Sequence, residues 1–495
     1  MSNIRGALLG RFPGLESDVN ADGDDDLEIQ APEEGVDATG AQTDGENIVE
    51  GDLVEAAEDS REVDSADAEA GELEDTADSL ESFLLAAQLG QRQGGWSDRE
   101  ALAYSVGLDA TLKRLGADHS AVVPSLESFT GSERQRIDAC VSVENKIKDA
   151  LISIWEAIKR AVNKVMAFIK KWWVKIFDGA SRLKKRAEAI RKKAENTSGT
   201  AKEKKFTTST YANLHVSKAM PNSTAIKTAL DGIATTIKEL TAGRTDSGYG
   251  QLVDDVVDNV QKFADADGSG SINEAADTLS GSSKKYAGQM TLTFVKGASA
   301  SDDDRKRFYG SIASAVLVPQ FSKTGELPGG KVLWALTAVA PEVKGNDNGQ
   351  LGRNLAAAFR VSGRVSLADY SPKKVEIDNS KEVPVLEIGG VIEICDGVID
   401  MCQPIIDYKL GFANYEKKNS AALGKVDAVL RKANNGKTED KPARERAELT
   451  RGLAQAVGSI IRNRGTSITN VVNYGVSLGR NALVYSVQSL AQYRD

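Results

Sequence analysis

Histidine and cysteine are scarce in this 495-residue chain, which holds His119 and His215 and only Cys140, Cys395 and Cys402. With so few nitrogen and sulfur donors, a zinc site or a His-based triad has almost nothing to build on. The sequence therefore offers no enzyme and implies no cofactor. The cysteines are odd in number and widely spaced, and no secretory apolar region precedes them, so synthesis in a reducing cytoplasm is expected.

Basic residues are scarce at the start of the chain. The overall net charge of −10 conceals 26 Asp and Glu against three Arg in residues 1–81, a net −23 that leaves +13 on the remainder. Residues 1–78 are also poor in aromatics and include an acidic run at 22–26. Such a composition buries too little apolar area to offset chain entropy, so disorder is expected there. The exception is residues 4–12, where a few apolar side chains with Arg5 and Arg11 could dock as a short helix.

The segment from 130 to 195 is the opposite in character. Ile147, Leu151, Ile154, Ile158, Val162, Val165, Ile169, Trp172 and Ile176 recur at steps of three and four and share one helix face. The other face carries Lys146, Lys148, Lys159, Arg160, Lys164, Lys170, Lys171 and Lys175, then Arg182, Lys184, Lys185, Arg186, Arg191, Lys192 and Lys193. Thr130 and Glu133 have capping-box spacing, so the helix is expected to begin after Phe129 and run about 70 Å to a break at Asp178-Gly179. Three readings stay open. The stripe packs on the rest of the protein or on its own copies. The lysines meet nucleic-acid phosphates without base reading. Or Trp155, Trp172 and Trp173 beside lysines rest on a membrane surface, since charges every few residues exclude a span.

The pentapeptide Ser-Leu-Glu-Ser-Phe occurs twice, at 79–83 and 125–129. Between the copies, Ser97 and Glu100 form a second capping box, Leu102, Val106, Leu108, Leu112 and Leu115 come next, and Gly116 supplies the stop. Residues 196–205 read as a linker. Beyond it, 226–240, 253–263 and 305–317 look helical, while Met290, Leu292 and Phe294 alternate with polar residues as in a half-buried strand. Leu327-Pro328-Gly329-Gly330 reads as a turn before a strand at 332–339. A hydrophobic run at 385–410 opens a long helical segment kinked at Pro404 and ending at Asn434-Asn435-Gly436. Residues 443–493 read as two helices hinged near Gly465.

Two motifs imitate binding sites. Asp265, Asp267, Ser269 and Asn273 around Gly268-Ser269-Gly270 resemble the start of an EF-hand loop, but Ala276 stands where the bidentate Glu belongs. A turn between helices is the better reading. Leu327-Pro328-Gly329-Gly330-Lys331 lacks the Ser or Thr and the preceding glycine of a phosphate cradle. Cys395 and Cys402, seven apart on one helix face, read as buried apolar thiols.

At the paired pentapeptides and the basic helix after them, the chain resembles the internal head proteins of giant tailed bacteriophages. The resemblance covers residues 79–195 and extends to the turn at 327–332 and the helix at 385–433. It implies a structural virion protein inside the capsid, made with an acidic propeptide that a prohead protease cuts after Ser-x-Glu. Carried onto this chain, the cut points are Glu127, after Ser125 and before Ser128; Glu81, after Ser79 and before Ser82; and Glu144, after Ser142. Glu127, following Pro124, is expected to be extended and accessible. The implied partners are the protease, packaged DNA bound without sequence preference, other head proteins and further copies of the chain. A membrane-active protein ejected with the genome is the alternative.

The expected architecture is mainly α with a small α+β body. Its segments are a disordered acidic propeptide at 1–78, a helical spacer at 79–127, a long basic helix at 128–195, the mixed body at 206–380, a long helical segment at 385–435 and C-terminal helices at 440–495.

Overall fold

A helix with one apolar face needs cover along its whole length, and here the cover comes from both ends of the chain. The computed structural model describes residues 44–114, 126–242, 244–265, 269–289, 292–296, 298–299, 318–339, 348–371, 377, 380–435 and 441–493. The segments at 4–12, 22–26 and 305–317, together with Gly116, Ser125 and His119, lie outside the described residues. The chain is mainly helical with two small sheets.

The basic segment forms α3, Glu133–Glu195, 63 residues and about 94 Å long. All nine stripe residues are buried. Its capping box is Ser132 with Gln135: the Gln135 amide N–H donates to the Ser132 hydroxyl, and the Ser132 N–H donates to Gln135 Oε1 at 2.8 Å. The expected cap, Thr130, instead donates its hydroxyl to the Glu127 carbonyl at 2.9 Å. Nor does Asp178-Gly179 break the helix, which continues through both residues with Gly179 buried.

The C-terminal segment is one helix, α10, Lys441–Leu490, of 50 residues. It runs parallel to α3, with Gly458 against Val162, Gly465 against Ile169, Asn473 bonded to Trp172 and Gly479 against Leu183. The expected hinge at Gly465 is absent: a Cβ there would lie 2.4 Å from Ile169 Cδ1, so the glycine marks a close approach between helices. Leu449, Leu453, Val457, Ile460, Ile461, Ile468, Val471 and Val472 are all buried. Because α10 is enclosed on nearly every side, its buried hydroxyls return to their own backbone, as Thr469 does to the Gly465 carbonyl at 3.0 Å.

The acidic segment supplies the third long element. Helix α1, Asp44–Arg92, buries Val63, Ala66, Ala70, Leu73, Ala77, Leu80, Leu84 and Ala87, an unbroken three-four alternation. The expectation of disorder as far as residue 78 is thus corrected over residues 61–78, which are helical and packed. The mean composition is too polar to fold alone, but one face carries a complete heptad. Helix α2, Asp98–Arg114, packs on α1, with the Phe83 ring against Gly107, and is capped by Ser97 and Glu100 as expected. Leu108 and Leu112 are buried, whereas Leu102 and Val106 face outward.

The remaining segments wrap these helices. Strand β1, Lys205–Thr208, pairs antiparallel with β6, Lys381–Pro384. Helices α4 (Ser223–Thr241), α5 (Arg244–Asp265) and α6 (Ser269–Gln289) precede a sheet in the order β2-β3-β4-β5. Its strands are β2 (Ala298–Ser299), β3 (Val318–Lys323), β4 (Lys331–Val339) and β5 (Arg364–Asp369), all antiparallel, with helix α7 (Asn348–Val361) before β5. The strand expected at 332–339 is β4. The turn before it places Gly329 and Gly330 at φ 76° and 64°, which L side chains rarely adopt.

The other expected strand is not formed. Phe294–Lys296 makes a single 3-10 turn, with the Phe294 ring filling the space over Gly232 of α4; Met290 and Thr291 lie outside the described residues. The calcium-like loop fails from Ser269 onward, where α6 begins. The long segment expected from 385 is two helices, α8 (Ile388–Asp407) and α9 (Lys409–Asn435), separated at Tyr408 one turn after Pro404. Pro404 removes one N–H from the turn before it, and α8 nevertheless runs through it to Asp407. Buried side chains from all these segments join in one continuous core.

Gly465→Ala tests the close approach. A hinge glycine replaced by Ala would gain up to ~1 kcal/mol of helix propensity. Overpacking against Ile169 should instead cost ~1–3 kcal/mol, partly recovered in Gly465→Ala with Ile169→Val. A rise in melting temperature for the single variant would restore the hinge.

Candidate maturation sites and the acid–base seam

Helix α1 lies antiparallel to both α3 and α10, in the groove between them. Along α3, Glu62 meets Lys171 at 3.6 Å, Glu69 meets Lys164 at 3.1 Å, and Gln88 donates to Glu144 at 3.0 Å. Along α10, Asp67 pairs with Arg462, Glu74 Oε2 lies 2.8 Å from Arg462 Nη2 and accepts from Ser459, and Glu81 lies 3.5 Å from Arg451. Asp78 pairs with Arg360 of α7. Asp67, Glu74 and Glu81 are seven apart, as are Glu62 and Glu69, so each row flanks one side of the heptad seam and addresses one neighbouring helix. The reading of the sequence overlooked Arg360, Arg451 and Arg462. The signal that finds them is the carboxylate spacing within a segment otherwise set aside as too acidic to fold.

The apolar seam holds the helix and the charges choose its place. Fully burying Val63, Leu73, Leu80 and Leu84 contributes about 2 kcal/mol each. Buried ion pairs add little net stability, because desolvation offsets attraction, but a mispaired register would leave charges stranded. The side chain of Arg462 is only 5 % exposed, whereas Lys171 and Glu62 at the rim are 54 % and 48 % exposed and are screened by water.

The three candidate cut points sit in three settings. Glu81 is in the middle of α1, where Ser79 and Ser82 bond back to the carbonyls of Asp75 and Asp78 at 2.9 and 3.1 Å. Burial pushes its carboxyl up to about 7, against the pull of Arg451. Glu144 is inside α3, about three turns from its start; burial opposes its charge, yet bonds from Lys148, Gln91 and Gln88 hold its carboxyl below the usual range. Ser142 beside it is half-buried in the same helix. A protease cleft takes an extended strand, so neither glutamate is reachable while its helix is intact. Glu127 is exposed, Ser128 half-buried and Phe129 buried, on the turn Leu126–Phe129 that precedes α3. The expected extended conformation is here a single 3-10 turn, anchored by the Phe129 ring 5.8 Å from Trp96, which also stacks on Tyr104.

The basic face divides along its length. Lys159 meets Glu156 and Asp427 at 3.1 and 3.3 Å, Lys170 meets Glu416 at 3.3 Å, and Lys184 donates to Gln403 at 2.7 Å. Arg191 pairs with Asp396 at 2.8 Å and Glu195 at 3.1 Å. Arg160, Lys175, Arg182 and Arg186 are half-buried, while Lys185, Lys192 and Lys193 in the last turns are exposed. Much of the basic face therefore already neutralises acids of the same chain. The three tryptophans face inward: Trp155 donates to Asp427 at 3.1 Å, Trp172 to Asn473 at 2.9 Å, and Trp173 stacks on Phe177. The rings that a membrane surface would need are in the core. Among the described residues no helix is long and apolar enough to cross a membrane.

Little else among the described residues is placed for chemistry. Cys140, Cys395 and Cys402 are buried and unpaired with one another, and burial pushes the Cys395 and Cys402 thiols up to about 12, which keeps them protonated. His215 is buried, its Nδ1 accepting from the Lys218 N–H at 3.4 Å. No group of three or more His, Cys, Asp or Glu among the described residues is arranged to hold a metal ion.

Compared with known proteins, residues 29–488 match the family model described as phiKZ-like phage internal head proteins. No curated protein and no solved structure matches the chain.

The seam predicts a contrast between two basic residues of similar appearance in sequence. Arg462→Met should cost ~3–5 kcal/mol in urea unfolding, because Asp67 and Glu74 are left buried and unpaired. Lys171→Ala should cost less than ~1 kcal/mol. Adding Asp67→Asn and Glu74→Gln to Arg462→Met should restore part of the loss; no recovery would mean that the carboxylates are not what the arginine serves.

Proposed function

The chain belongs to the phiKZ-like phage internal head proteins, and from that membership we propose that it is made as an acidic precursor and cut after Glu127 to a basic form packed with the genome. The family is one of structural proteins rather than enzymes, and its members reside inside the virion capsid among other head components. The observation that carries the finer reading is the exposed Glu127 on a short turn between the acidic helical unit and the basic helix. Glu81 and Glu144 carry the same Ser-x-Glu pattern within intact helices, so the order of events favours Glu127 first.

Cutting there divides the charge. Residues 1–127 carry 31 acidic and seven basic side chains, a net −24, which leaves residues 128–495 at +14. An acidic segment that pairs with the basic one shields it from other polyanions until it is removed. On this reading the mature chain meets duplex DNA through the phosphates, beginning with the exposed Lys185, Lys192 and Lys193. The apolar stripe is taken up within the chain, so copies associate through other surfaces.

Mass spectrometry of protein from intact particles should find a chain that begins at Ser128; only chains that run uncut through Glu127–Ser128 would end the maturation reading. Residues 128–495, freed of the acidic part, should retain duplex DNA without sequence preference. Engaging about six phosphates, they should lose affinity roughly a thousandfold between ~50 and ~200 mM salt. The precursor should bind far more weakly under the same conditions, and equal affinity of the two forms would end the shielding reading.

A further inference from the structure

We propose that the groove between α3 and α10 is a receptor site for an acidic heptad helix, and that the cut after Glu127 leaves α1 seated there as a separate fragment. This rests on the maturation reading above. Hydrolysis of the Glu127–Ser128 bond consumes one water and leaves a carboxylate on Glu127 and an ammonium on Ser128. It removes the covalent link but none of the contacts that hold the helix.

Those contacts run the length of the seam. At one end Glu62 faces Lys171; at the other, the Trp96 N–H donates to Cys140 Sγ at 3.4 Å and Arg136 donates to the Gly94 carbonyl at 3.3 Å. The Trp96–Phe129 stack spans the cut itself, with Trp96 on the acidic fragment and Phe129 on the basic one. Between these ends the apolar heptad of α1 is fully covered, so departure would expose its seam and the groove floor together.

The groove also states the chemistry of its occupant. Its buried cations, Arg462, Arg451 and Arg360, face carboxylates of α1, and the arginine fork suits carboxylates better than a lysine would. An apolar floor flanked by arginines fits an amphipathic helix with acids beside its seam. It does not fit a nucleic-acid backbone, which has no apolar face to offer. The gain in DNA affinity should then track loss of the fragment and not the cut. Glu81, inside the seated helix, becomes reachable only after α1 unwinds.

The test uses the full chain with the recognition sequence of an unrelated protease placed across residues 125–128. After complete cutting, the sample is passed over a size-exclusion column at micromolar concentration, in ~150 mM and in about 1 M salt, where charge attraction beyond ~3 Å is screened. Both fragments should elute together under both conditions with the mass of the uncut chain. Leu73→Asp should abolish co-elution. If that variant does not fold, Asp67→Asn with Glu74→Gln keeps the side-chain sizes and should shorten the life of the complex. An acidic fragment that elutes alone at ~150 mM salt overturns the proposal, and one that separates only in about 1 M salt reduces the contact to charge attraction and overturns it equally. Because this cut is imposed, the outcome is independent of whether virion protein begins at Ser128.

Discussion

The apolar stripe of α3 is the constraint on which the other elements depend. A helix of 63 residues with a continuous apolar face is stable only if that face is covered throughout, since isolated helices gain little from propensity alone. Two long helices from opposite ends of the chain supply the cover, α10 in parallel and α1 antiparallel. The approach of α10 is closest at Gly465, where a Cβ would lie 2.4 Å from Ile169 Cδ1, and is tight at Gly458. Once these axes are set, α8 and α9 fill the sides left open, with Asp396 and Gln403 meeting Arg191 and Lys184, and Asp427 and Glu416 meeting Trp155 and Lys170.

Charge has two separate roles in this arrangement. On the rim, Lys171 with Glu62 and Arg431 with Glu156 are exposed pairs of small energetic weight. Beneath α1, Arg360, Arg451 and Arg462 are enclosed, and their value lies in excluding alternatives. A slip of α1 by one heptad would still bury a similar apolar seam, but it would leave the carboxylate row one acid short, with Gln88 brought opposite Arg451 or Ser60 brought opposite Arg462 in place of an acid. The acids that make this region look unfoldable by composition thus fix where α1 sits.

The fold was legible in the sequence where a pattern ran at one period against a contrasting background. The stripe of α3, strand β4, the turn at Gly329-Gly330, the capped helix α2 and the buried cysteines were all of this kind. Helix α1 was hidden because half of its seam positions are alanine and its mean polarity is high, so averaging over the segment erased the heptad. Gly465 was misread for a related reason: in a sequence a glycine breaks a helix, whereas in a packed bundle it admits a neighbour. Phe294 alternated like a strand residue because it is half covered, here by a glycine of α4 rather than by a second sheet. Of the candidate site, the exposure of Glu127 was expected, though on an extended chain and not on a turn, while the arginines that receive the acidic helix were overlooked because the heptad spacing of their carboxylate partners lay in a segment set aside by its mean composition.

The repeated Ser-Leu-Glu-Ser-Phe shows how far a short motif can decide an outcome. In one copy Leu80 occupies a seam position and the five residues continue a helix; in the other, which comes after Pro124 in the sequence, Leu126–Phe129 closes into a turn before the next helix. The side chains are identical, so the difference in access to Glu81 and Glu127 belongs to the neighbours. A protease that reads only a small residue and a glutamate has many sites to choose from in this chain, and the fold narrows the choice. Selection by local unfolding cost also orders the cuts: a four-residue turn opens at the expense of one ring contact, whereas α1 must give up its seam and its arginine partners together.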